Sequence, residues 1–420
     1  MKVLLVNKFH YRKGGSETYY FTLAEALKQA GHDVVFFAME DEKNLPCDQE
    51  RYFVSNASVT GGIKSKLKMI LHLTYSREAY KKMTQLLQAE KPDLVILNLV
   101  HKQITLSIID AIKEHDPKLP IFWTMHDLIA VCPSYTMRDG SGNICEKCLG
   151  GNYMHCIRNK CMKGSTLMSI LSAYEAVYIR RRKWYDDVDL YICPSDFHRG
   201  KLTESAFSRS PVITMRNPLP ADTVFENSGT SEGYILYFGR LSPEKGVHTL
   251  IEAAKICDCR LLVVGTGPQE EELKALAGDA PNIAFKGFQT GDTLRNFVKN
   301  SHCVVMPSAC YENGPYSAME AMAMGKPLIV SQCGGLPELV EDGVNGYVFD
   351  GTAQELADRI CQMRMLSKEQ YTQMGLRSLE KAQRLFDAKA YVEQIESYYI
   401  ESKTQKGFYY EKSEGRENSN

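Results

Sequence analysis

Two glutamates separated by seven residues, Glu312 and Glu320, lie in the stretch of this chain that carries the strongest chemical signals. The stretch follows an apolar run, and Pro315 suits the first turn of a helix that opens there. Backbone N–H groups at such a helix start, near Pro315, Tyr316 and Ser317, are well placed to bind a phosphate. The pattern therefore predicts an anion-binding turn flanked by two carboxylates.

The spacing of these two carboxylates argues against glycoside hydrolysis. Over eight helical residues the rise is ~12 Å, whereas the two carboxyl groups of a glycosidase lie about 5–9.5 Å apart. Such a separation matches two groups that contact opposite ends of one extended ligand. The alternative is one solvated glutamate and one on a helix surface, since glutamate is a good helix former.

This segment resembles the signature of the retaining glycosyltransferases of family 4, which have the GT-B fold. The resemblance rests on the two glutamates, on Ala-Met-Ala and Gly-Lys-Pro after them, and on the continuation through Gly334 to Glu338. It implies that Glu312 lies beside the donor sugar and that Glu320 hydrogen-bonds the ribose hydroxyls. The family often has Phe-Gly where this chain has Pro315-Tyr316.

Arg240 and Lys245 lie in one loop that is predicted to follow a strand of the C-terminal half. A sugar diphosphate gains negative charge as its glycosidic bond breaks, and fixed cations stabilise that charge without a metal. Two solvated surface cations are the alternative. The family resemblance assigns both residues to the diphosphate and implies that no catalytic metal is required.

Two stretches of the N-terminal half also resemble family elements. The paired glycines Gly14 and Gly15 let backbone approach a ligand closely, and Ser16 is a good cap for the helix that follows; a simple tight turn is the alternative. The resemblance implies that this loop faces the donor phosphates and the acceptor. It also matches His126, at the end of a predicted strand, to a histidine that contacts the donor sugar. Asp127 either orients that histidine or caps the next segment.

A Gly-rich insert at about 132–164 contains a cluster of cysteines. Four of them follow the pattern C-x2-C-x7-C-x4-C, namely Cys145, Cys148, Cys156 and Cys161. Reduced thiols at this density can bind zinc tetrahedrally and fold an insert that has little core. Because the spacing departs from the common two-knuckle form, free or buried thiols, or disulfides in an oxidising compartment, remain alternatives to a structural zinc.

Short apolar strands alternate with amphipathic helices through both halves, which predicts βαβ units and parallel sheets. The expected fold is therefore α/β with two Rossmann-like doubly wound domains, and the family resemblance implies that they face a central cleft as in GT-B proteins. A proline-containing linker separates an acceptor-side domain at 1–216 from a nucleotide-sugar-binding domain at 217–386. A helix at 387–402 is expected to cross back to the first domain, and 403–420 to be a disordered tail.

Composition narrows the function classes. The 420 residues are 44% hydrophobic and 24% charged, with a formal net charge of −1, so nothing global favours a nucleic-acid partner. The opening residues read as a strand and not as a signal peptide, and no stretch approaches the ~20 apolar residues of a membrane span. A cytoplasmic location is expected. The turn Gly265-Thr266-Gly267 lacks the third glycine of a dinucleotide fingerprint and precedes acidic residues, which disfavours a dehydrogenase.

Two basic, apolar stretches indicate either membrane contact or ordinary packing. The first spans 63–90 and contains Lys64, Lys66, Lys68, Lys81 and Lys82. The second spans 165–185 and ends in Arg180-Arg181-Arg182-Lys183-Trp184. Cations beside apolar and aromatic residues suit an anionic membrane surface such as the inner face of the cell membrane. Helices packed on a sheet, with snorkelling cations, are the equal alternative.

The family resemblance implies a hexosyltransferase-type enzyme that moves a sugar from a nucleotide-sugar to a hydroxyl of a glycan or lipid-linked acceptor. On the resemblance alone, a UDP-sugar is favoured over a GDP-sugar and surface polysaccharide synthesis is the expected setting. One rival is a non-catalytic partner subunit of the same fold, which the loss of Glu312, Arg240 or Lys245 would have favoured. The other is a sucrose-synthase-like or phosphorylase-like enzyme, but no motif for a pyridoxal phosphate lysine is evident.

Overall fold

A computed structural model describes residues 1–56, 74–205, 207–229 and 231–417. The chain divides into two compact units. Unit 1 comprises Met1–Pro194, Arg199–Ala221 and Ala388–Asn420, and unit 2 comprises Ser195–His198 and Asp222–Asp387. Each unit contains one parallel sheet with helices, which confirms the predicted α/β class with two doubly wound domains.

Short apolar strands build both sheets. Those of unit 1 are β1 (Lys2–Val6), β2 (Asp33–Phe37), β3 (Leu94–Leu97), β4 (Ile121–Thr124), β5 (Leu190–Cys193) and β6 (Val212–Thr214). Those of unit 2 are β7 (Ile235–Phe238), β8 (Leu261–Val264), β9 (Ile283–Phe285), β10 (Cys303–Met306), β11 (Leu328–Ser331) and β12 (Gly346–Phe349). Most strand residues are fully buried, as expected for parallel strands covered on both faces.

The helices alternate with these strands along the chain. The first six are α1 (Gly15–Gln29), α2 (Arg77–Glu90), α3 (Ser107–His115), α4 (Met154–Arg158), α5 (Thr166–Arg182) and α6 (Asp196–Glu204). The others are α7 (Val247–Ile256), α8 (Glu270–Ala277), α9 (Gly291–Asn300), α10 (Tyr316–Ala323), α11 (Ala353–Arg364), α12 (Lys368–Leu385) and α13 (Ala388–Glu417). No helix among the described residues is long and apolar enough to cross a bilayer.

The strand order of each sheet locates the loops that lie at its switch point. The sheet of unit 1 runs β2-β1-β3-β4-β5-β6 and that of unit 2 runs β12-β11-β10-β7-β8-β9, with every pairing parallel. The order reverses between β1 and β3 in unit 1 and between β7 and β10 in unit 2. Ligands of open α/β sheets bind beyond the carboxyl ends of the strands at such a switch point.

The C-terminal helix α13 packs on α1 within unit 1. The hydroxyl of Tyr391 lies 2.9 Å from that of Tyr19, and Glu396 Oε1 lies 2.8 Å from His32 Nε2. These contacts assign the end of the chain to the N-terminal unit. The helix is continuous to Glu417, past residue 402.

Two local predictions need comment. Helix α1 begins at Gly15 with Gly14 as its N-cap, so the prediction that Ser16 caps it was wrong. The N–H and the hydroxyl of Thr18 both donate to the Gly14 carbonyl, at 2.9 and 3.1 Å. These bonds close the first helical turn at Gly15, so Ser16 lies inside the helix. Of the basic stretch at 63–90, residues 63–73, with Lys64, Lys66 and Lys68, lie outside the described residues. Lys82 on α2 pairs with Glu40 at 3.0 Å.

In unit 2 the loop after β7 packs tightly on the loop after β10. Gly246 has φ of +66°, and a Cβ built there would overlap the carbonyl oxygen of Pro307. Nearby, the Ala309 N–H donates to the Glu244 carbonyl at 2.9 Å. Only glycine combines this backbone conformation with such a close approach, so the residue sets the spacing of the two loops.

We expect Gly246→Ala to destabilise unit 2 more than Gly287→Ala does. Both glycines have nearly the same positive φ, +66° and +64°, but a Cβ at Gly287 meets nothing within 4 Å. The left-handed conformation costs each variant about 1–2 kcal/mol, and the overlap at Gly246 adds about 1–3 kcal/mol. Urea unfolding of the two variants measures the difference, and equal midpoints would show that the loops are not in close contact.

Candidate functional site

The loops after β7 and β10 bring Lys245 and Glu312 into contact at the switch point of unit 2. Lys245 Nζ lies 2.6 Å from Glu312 Oε1, and the two side chains are only 25% and 10% exposed. The Ser308 hydroxyl donates to the same oxygen at 2.7 Å. Burial alone would lower the pKa of Lys245, but the Glu312 carboxylate outweighs burial and raises that pKa above its ordinary value. Lys245 is therefore a firmly charged cation.

The backbone of Glu312 is held by a turn that follows β11. Glu312 forms a parallel bridge with Gly334, and the Gly335 N–H donates to the Glu312 carbonyl at 2.8 Å. Gly334 has φ of +64°, and a Cβ there would lie 2.8 Å from the Glu312 carbonyl oxygen. The Gly-Gly pair of the sequence motif is thus required to position the carboxylate.

Glu320 lies in a different environment from Glu312. It is on α10, where burial raises its pKa to about 7. Among the described residues, its carboxylate has no hydrogen-bond or ion-pair partner. Glu312 precedes the first residue of α10 by four positions, so the 12 Å helical rise expected between the two carboxylates does not apply. The two carboxylates differ in environment as well as in position.

The start of α10 directly follows the Glu312 loop. Pro315 is the N-cap, and Tyr316 and Ser317 form the first turn. The positive end of the helix dipole therefore lies at the carboxyl edge of the sheet, where it favours a bound anion. The structure brings Pro315, Tyr316 and Ser317 together with Glu312 as the sequence predicts.

Arg240 lies in the same loop as Lys245, directly after Gly239. The Tyr237 hydroxyl donates to the Arg240 carbonyl at 2.8 Å and fixes the backbone. The guanidinium is exposed, and no carboxylate among the described residues pairs with it. Lys245 is thus already paired, whereas the charge of Arg240 is available to a ligand.

In unit 1, His126 follows β4 and is held neutral. Burial lowers its pKa to about 3, and the ring of Tyr19 lies 4.6 Å from its own. Its Nε2 is buried and has no hydrogen-bond partner within the described part of the chain.

Asp127 accepts a hydrogen bond from the Ile129 N–H at 3.1 Å. Of the two roles considered for Asp127, the structure therefore supports capping of the next segment.

Gly14 and Gly15 lie at the start of α1, at the switch point of unit 1. The backbone of Gly14 is extended, and an added Cβ would meet only the Glu17 carboxylate, at 3.7 Å. The chain itself therefore does not demand glycine at position 14. The Asn98 side-chain amide donates to the Ser16 carbonyl at 3.0 Å and ties this loop to the end of β3.

Two lysines at the same edge were missed by the sequence analysis. Lys8 follows β1 and Lys102 follows β3, and both side chains are partly buried. Burial, with repulsion from Lys13 and Lys102, lowers the pKa of Lys8 to about 8. Buried Glu175 on α5 has its pKa raised by burial to about 7. Their positions after the strands on either side of the switch point were the signal that could have identified the lysines.

In the cysteine insert, Cys148 and Cys156 are buried, whereas Cys145 and Cys161 are partly exposed. Cys148 and Cys156 form a small apolar cluster with Tyr153 and Ala173, and burial raises the pKa of each thiol to about 12. All thirteen cysteines lie within the described residues, and none forms a disulfide. In the described ranges, no group of three or more His, Cys, Asp or Glu residues is arranged to hold a metal ion. A zinc site at Cys145, Cys148, Cys156 and Cys161 stays a prediction without support from the geometry.

Comparisons with known proteins agree with this architecture. The family model described as Glycosyltransferase Family 4 matches residues 13–222, and the one described as Glycosyl transferases group 1 matches residues 203–377. Among curated relatives, a putative colanic acid biosynthesis glycosyltransferase, WcaL of Salmonella typhimurium, is 25% identical over 54% of this chain and 60% of its own length. The matched stretch spans 34–60% of the length of the first four curated relatives.

Solved structures show the same fold. Sucrose-phosphate synthase from Thermosynechococcus elongatus superposes with a TM-score of 0.68 at 19% identity, over 95% of this chain and 98% of that one. HepE of Anabaena, solved in complex with UDP and glucose, gives 0.65 at 18% identity, over 96% and 100% of the two chains. At these identities the likeness establishes the fold alone, and the fold is GT-B.

We expect Glu320→Gln to stabilise the protein at pH 8 but not at pH 4.5. Because burial raises the pKa of Glu320 from 4.5 to about 7, the folded chain binds a proton in that window that the unfolded chain does not. Stability therefore falls as the pH rises from about 4.5 to 7, by about 1–3 kcal/mol at most. Glutamine removes this penalty.

Melting temperatures of both proteins from pH 4.5 to 8 measure the effect. Exposed Glu252 on α7 supplies the control, and Glu252→Gln should shift the melting temperature by the same small amount at every pH. A difference between Glu320→Gln and wild type that did not change with pH would show that Glu320 is not desolvated.

Proposed function

The chain belongs to the family 4 glycosyltransferases, and we propose that it moves a sugar from a nucleoside diphosphate sugar to a hydroxyl group with retention at the anomeric carbon. The observation that carries the proposal is the switch point of unit 2. There the paired Lys245 and Glu312 precede the start of α10, the helix that carries Glu320, whose carboxylate has no partner among the described residues. The cation and the anion-binding turn suit the diphosphate of a nucleotide-sugar, and the carboxylate of Glu320 suits its ribose.

The diphosphate of the donor is assigned to Arg240, Lys245 and the first turn of α10 at Pro315, Tyr316 and Ser317. Charge-assisted contacts from a guanidinium and an ammonium stabilise the leaving diphosphate as its charge grows. These cations would do so without a catalytic metal. The exposed guanidinium of Arg240 supports this assignment, because no carboxylate within the described residues neutralises it.

The ribose is assigned to Glu320 and the donor sugar to Glu312. Two ribose hydroxyls can donate hydrogen bonds to one carboxylate, and no group among the described residues donates to that of Glu320. Glu312 keeps one oxygen on Lys245 and Ser308, and its other oxygen can accept from a sugar hydroxyl. A uridine donor is favoured, since the structurally similar HepE was solved with UDP and glucose.

The chemistry proposed needs no protein base. Glu312 is tied to Lys245, and Glu320 is assigned to the ribose, so the leaving phosphate is the group that takes the acceptor proton. His126, with its pKa lowered to about 3 by burial, is neutral at physiological pH. Its imidazole can hydrogen-bond a sugar hydroxyl, but it cannot act as a cationic acid.

Unit 1 is assigned to the acceptor. Gly14 and Gly15 lie at its switch point, and His126, which the family resemblance matches to a histidine that contacts the donor sugar, follows β4. A glycan or lipid-linked acceptor in surface polysaccharide synthesis is proposed, because WcaL is named for colanic acid biosynthesis. Activity at the inner face of the cell membrane belongs to the same proposal. The polar edge with Lys8, Lys102 and Glu175 offers hydrogen-bonding groups to such a hydroxyl-rich ligand.

We expect UDP to raise the melting temperature of the purified protein without added metal, and GDP, ADP and NAD to raise it less. Glu320→Ala should reduce the UDP shift by removing the ribose contact, which lowers affinity roughly tenfold. Glu252→Ala is the matched control and should respond like wild type. If none of the four nucleotides shifts the wild-type protein, the donor-site proposal fails and a non-catalytic subunit becomes the better reading.

We expect Arg240→Ala to lower turnover of the donor more than tenfold, since a charge-assisted contact is worth about 1.5–3 kcal/mol. Turnover is measured as transfer or as slow hydrolysis of the UDP-sugar. Exposed Arg295 on α9 provides Arg295→Ala, which should retain wild-type turnover. Wild-type rates in Arg240→Ala would remove Arg240 from the diphosphate site.

A further inference from the structure

Helix α5 in unit 1 has its large apolar side chains outside. Leu167 is 65% exposed, Tyr174 50% and Ile170 44%. Val177 is exposed as well, and successive separations of three or four residues place these four side chains on one face. The buried side of the same helix carries small or polar residues, namely Ser169, Ser172, Ala173 and Glu175, together with Ile179.

This pattern is the reverse of an ordinary surface helix, whose apolar stripe points into the core. Four large exposed side chains in one stripe cost solvation free energy unless something covers them. Met168 at the start of α5 and Met154 on α4 are also exposed, at 41% and 52%. We call the stripe formed by Leu167, Ile170, Tyr174 and Val177 the α5 face.

The segment of the chain that contains the α5 face is strongly cationic. Residues 128–183 contain nine Lys and Arg against three Asp and Glu, in a chain whose formal net charge is −1. Of the three acids, Glu175 is buried and Glu146 is paired with Lys201. Six of the cations are exposed and have no ion-pair partner among the described residues: Lys147, Arg158, Lys160, Lys163, Arg181 and Lys183.

We propose that the α5 face docks on the surface of an anionic lipid bilayer, with its apolar side chains in the headgroup region and the neighbouring cations on lipid phosphates. A helix that lies in the membrane interface needs this combination of an exposed apolar stripe and flanking Lys and Arg. Tyr174 adds an aromatic ring of the kind enriched at that depth. The inference rests on the proposed function, because it places the enzyme beside a lipid-linked acceptor.

Charge decides between a bilayer and a second copy of the chain. Two copies that meet through the α5 face would bring two sets of unpaired cations together, and like charges at an interface cost affinity. An anionic membrane instead attracts each juxtaposed Lys or Arg, within about a Debye length of the surface. The observed charge therefore favours the bilayer as the occupant.

The test is co-sedimentation of the full chain with vesicles. We expect binding to phosphatidylcholine vesicles that contain about 30% phosphatidylglycerol, weaker binding to phosphatidylcholine alone, and loss of the preference at about 0.5 M salt. The double variant Leu167→Glu and Ile170→Glu should bind roughly tenfold less than wild type. Phe288→Glu in unit 2 is the matched control, because Phe288 is 72% exposed but lies outside the insert, and it should bind like wild type.

Two further measurements distinguish a loss of vesicle binding from a loss of the fold or of the donor site. Unchanged melting temperature and UDP response in the double variant would show that the fold and the donor site are intact, so that weaker vesicle binding reports the α5 face. Arg181→Glu with Lys163→Glu should abolish the preference for anionic lipid. The proposal is overturned if wild type ignores anionic vesicles, if the double variant binds as wild type does, or if light scattering shows a wild-type dimer that the double variant breaks.

Discussion

An ion pair with little access to water, between Lys245 and Glu312, is the interaction on which the arrangement of unit 2 depends. Two charges that are shielded from water lose hydration free energy, and only close contact with additional hydrogen bonds offsets that loss. The loops that carry them must therefore be held rigidly. Glycine at 246 lets the loop after β7 touch that after β10, and glycine at 334 lets the turn after β11 hold Glu312. Removing one partner would leave a buried charge and cost about 3–5 kcal/mol.

Helix α10 carries a second carboxylate, Glu320, whose environment differs from that of Glu312. Glu312 has a lysine and a hydroxyl on one oxygen, whereas Glu320 has no partner among the described residues and a pKa raised by burial to about 7. Burial without compensation destabilises the ionised form, and a ligand that donates hydrogen bonds would restore it. Glu320 is thus the carboxylate that gains most from such a ligand, while one oxygen of Glu312 is already held by Lys245 and Ser308.

Much of this could be predicted from the sequence, and the exceptions have physical causes. Strand and helix alternation predicts both sheets because parallel strands are short apolar runs. The motif from Glu312 to Glu338 is local, so its residues come together as expected. The contact of Lys245 with Glu312 joins loops 67 residues apart, and neither propensity nor spacing encodes such a pairing. Glu338 accepts hydrogen bonds from the N–H groups of Asp196 and Phe197 at 2.9 and 2.7 Å. This contact also joins residues that are far apart in the sequence.

For helix α5, the sequence pattern alone leaves membrane contact and packing on the sheet as two alternatives. Its apolar residues occur around most of the helix, so periodicity cannot say which side faces the core. The structure decides this, because Ser169 and Ser172 are inside while Leu167 and Ile170 are outside. A serine hydroxyl can be buried at small cost when it bonds to the chain, as Ser169 does with the Ser165 carbonyl at 2.8 Å. No comparable compensation exists in water for an exposed leucine. The anionic bilayer that we propose as the partner of the α5 face would cover these exposed side chains.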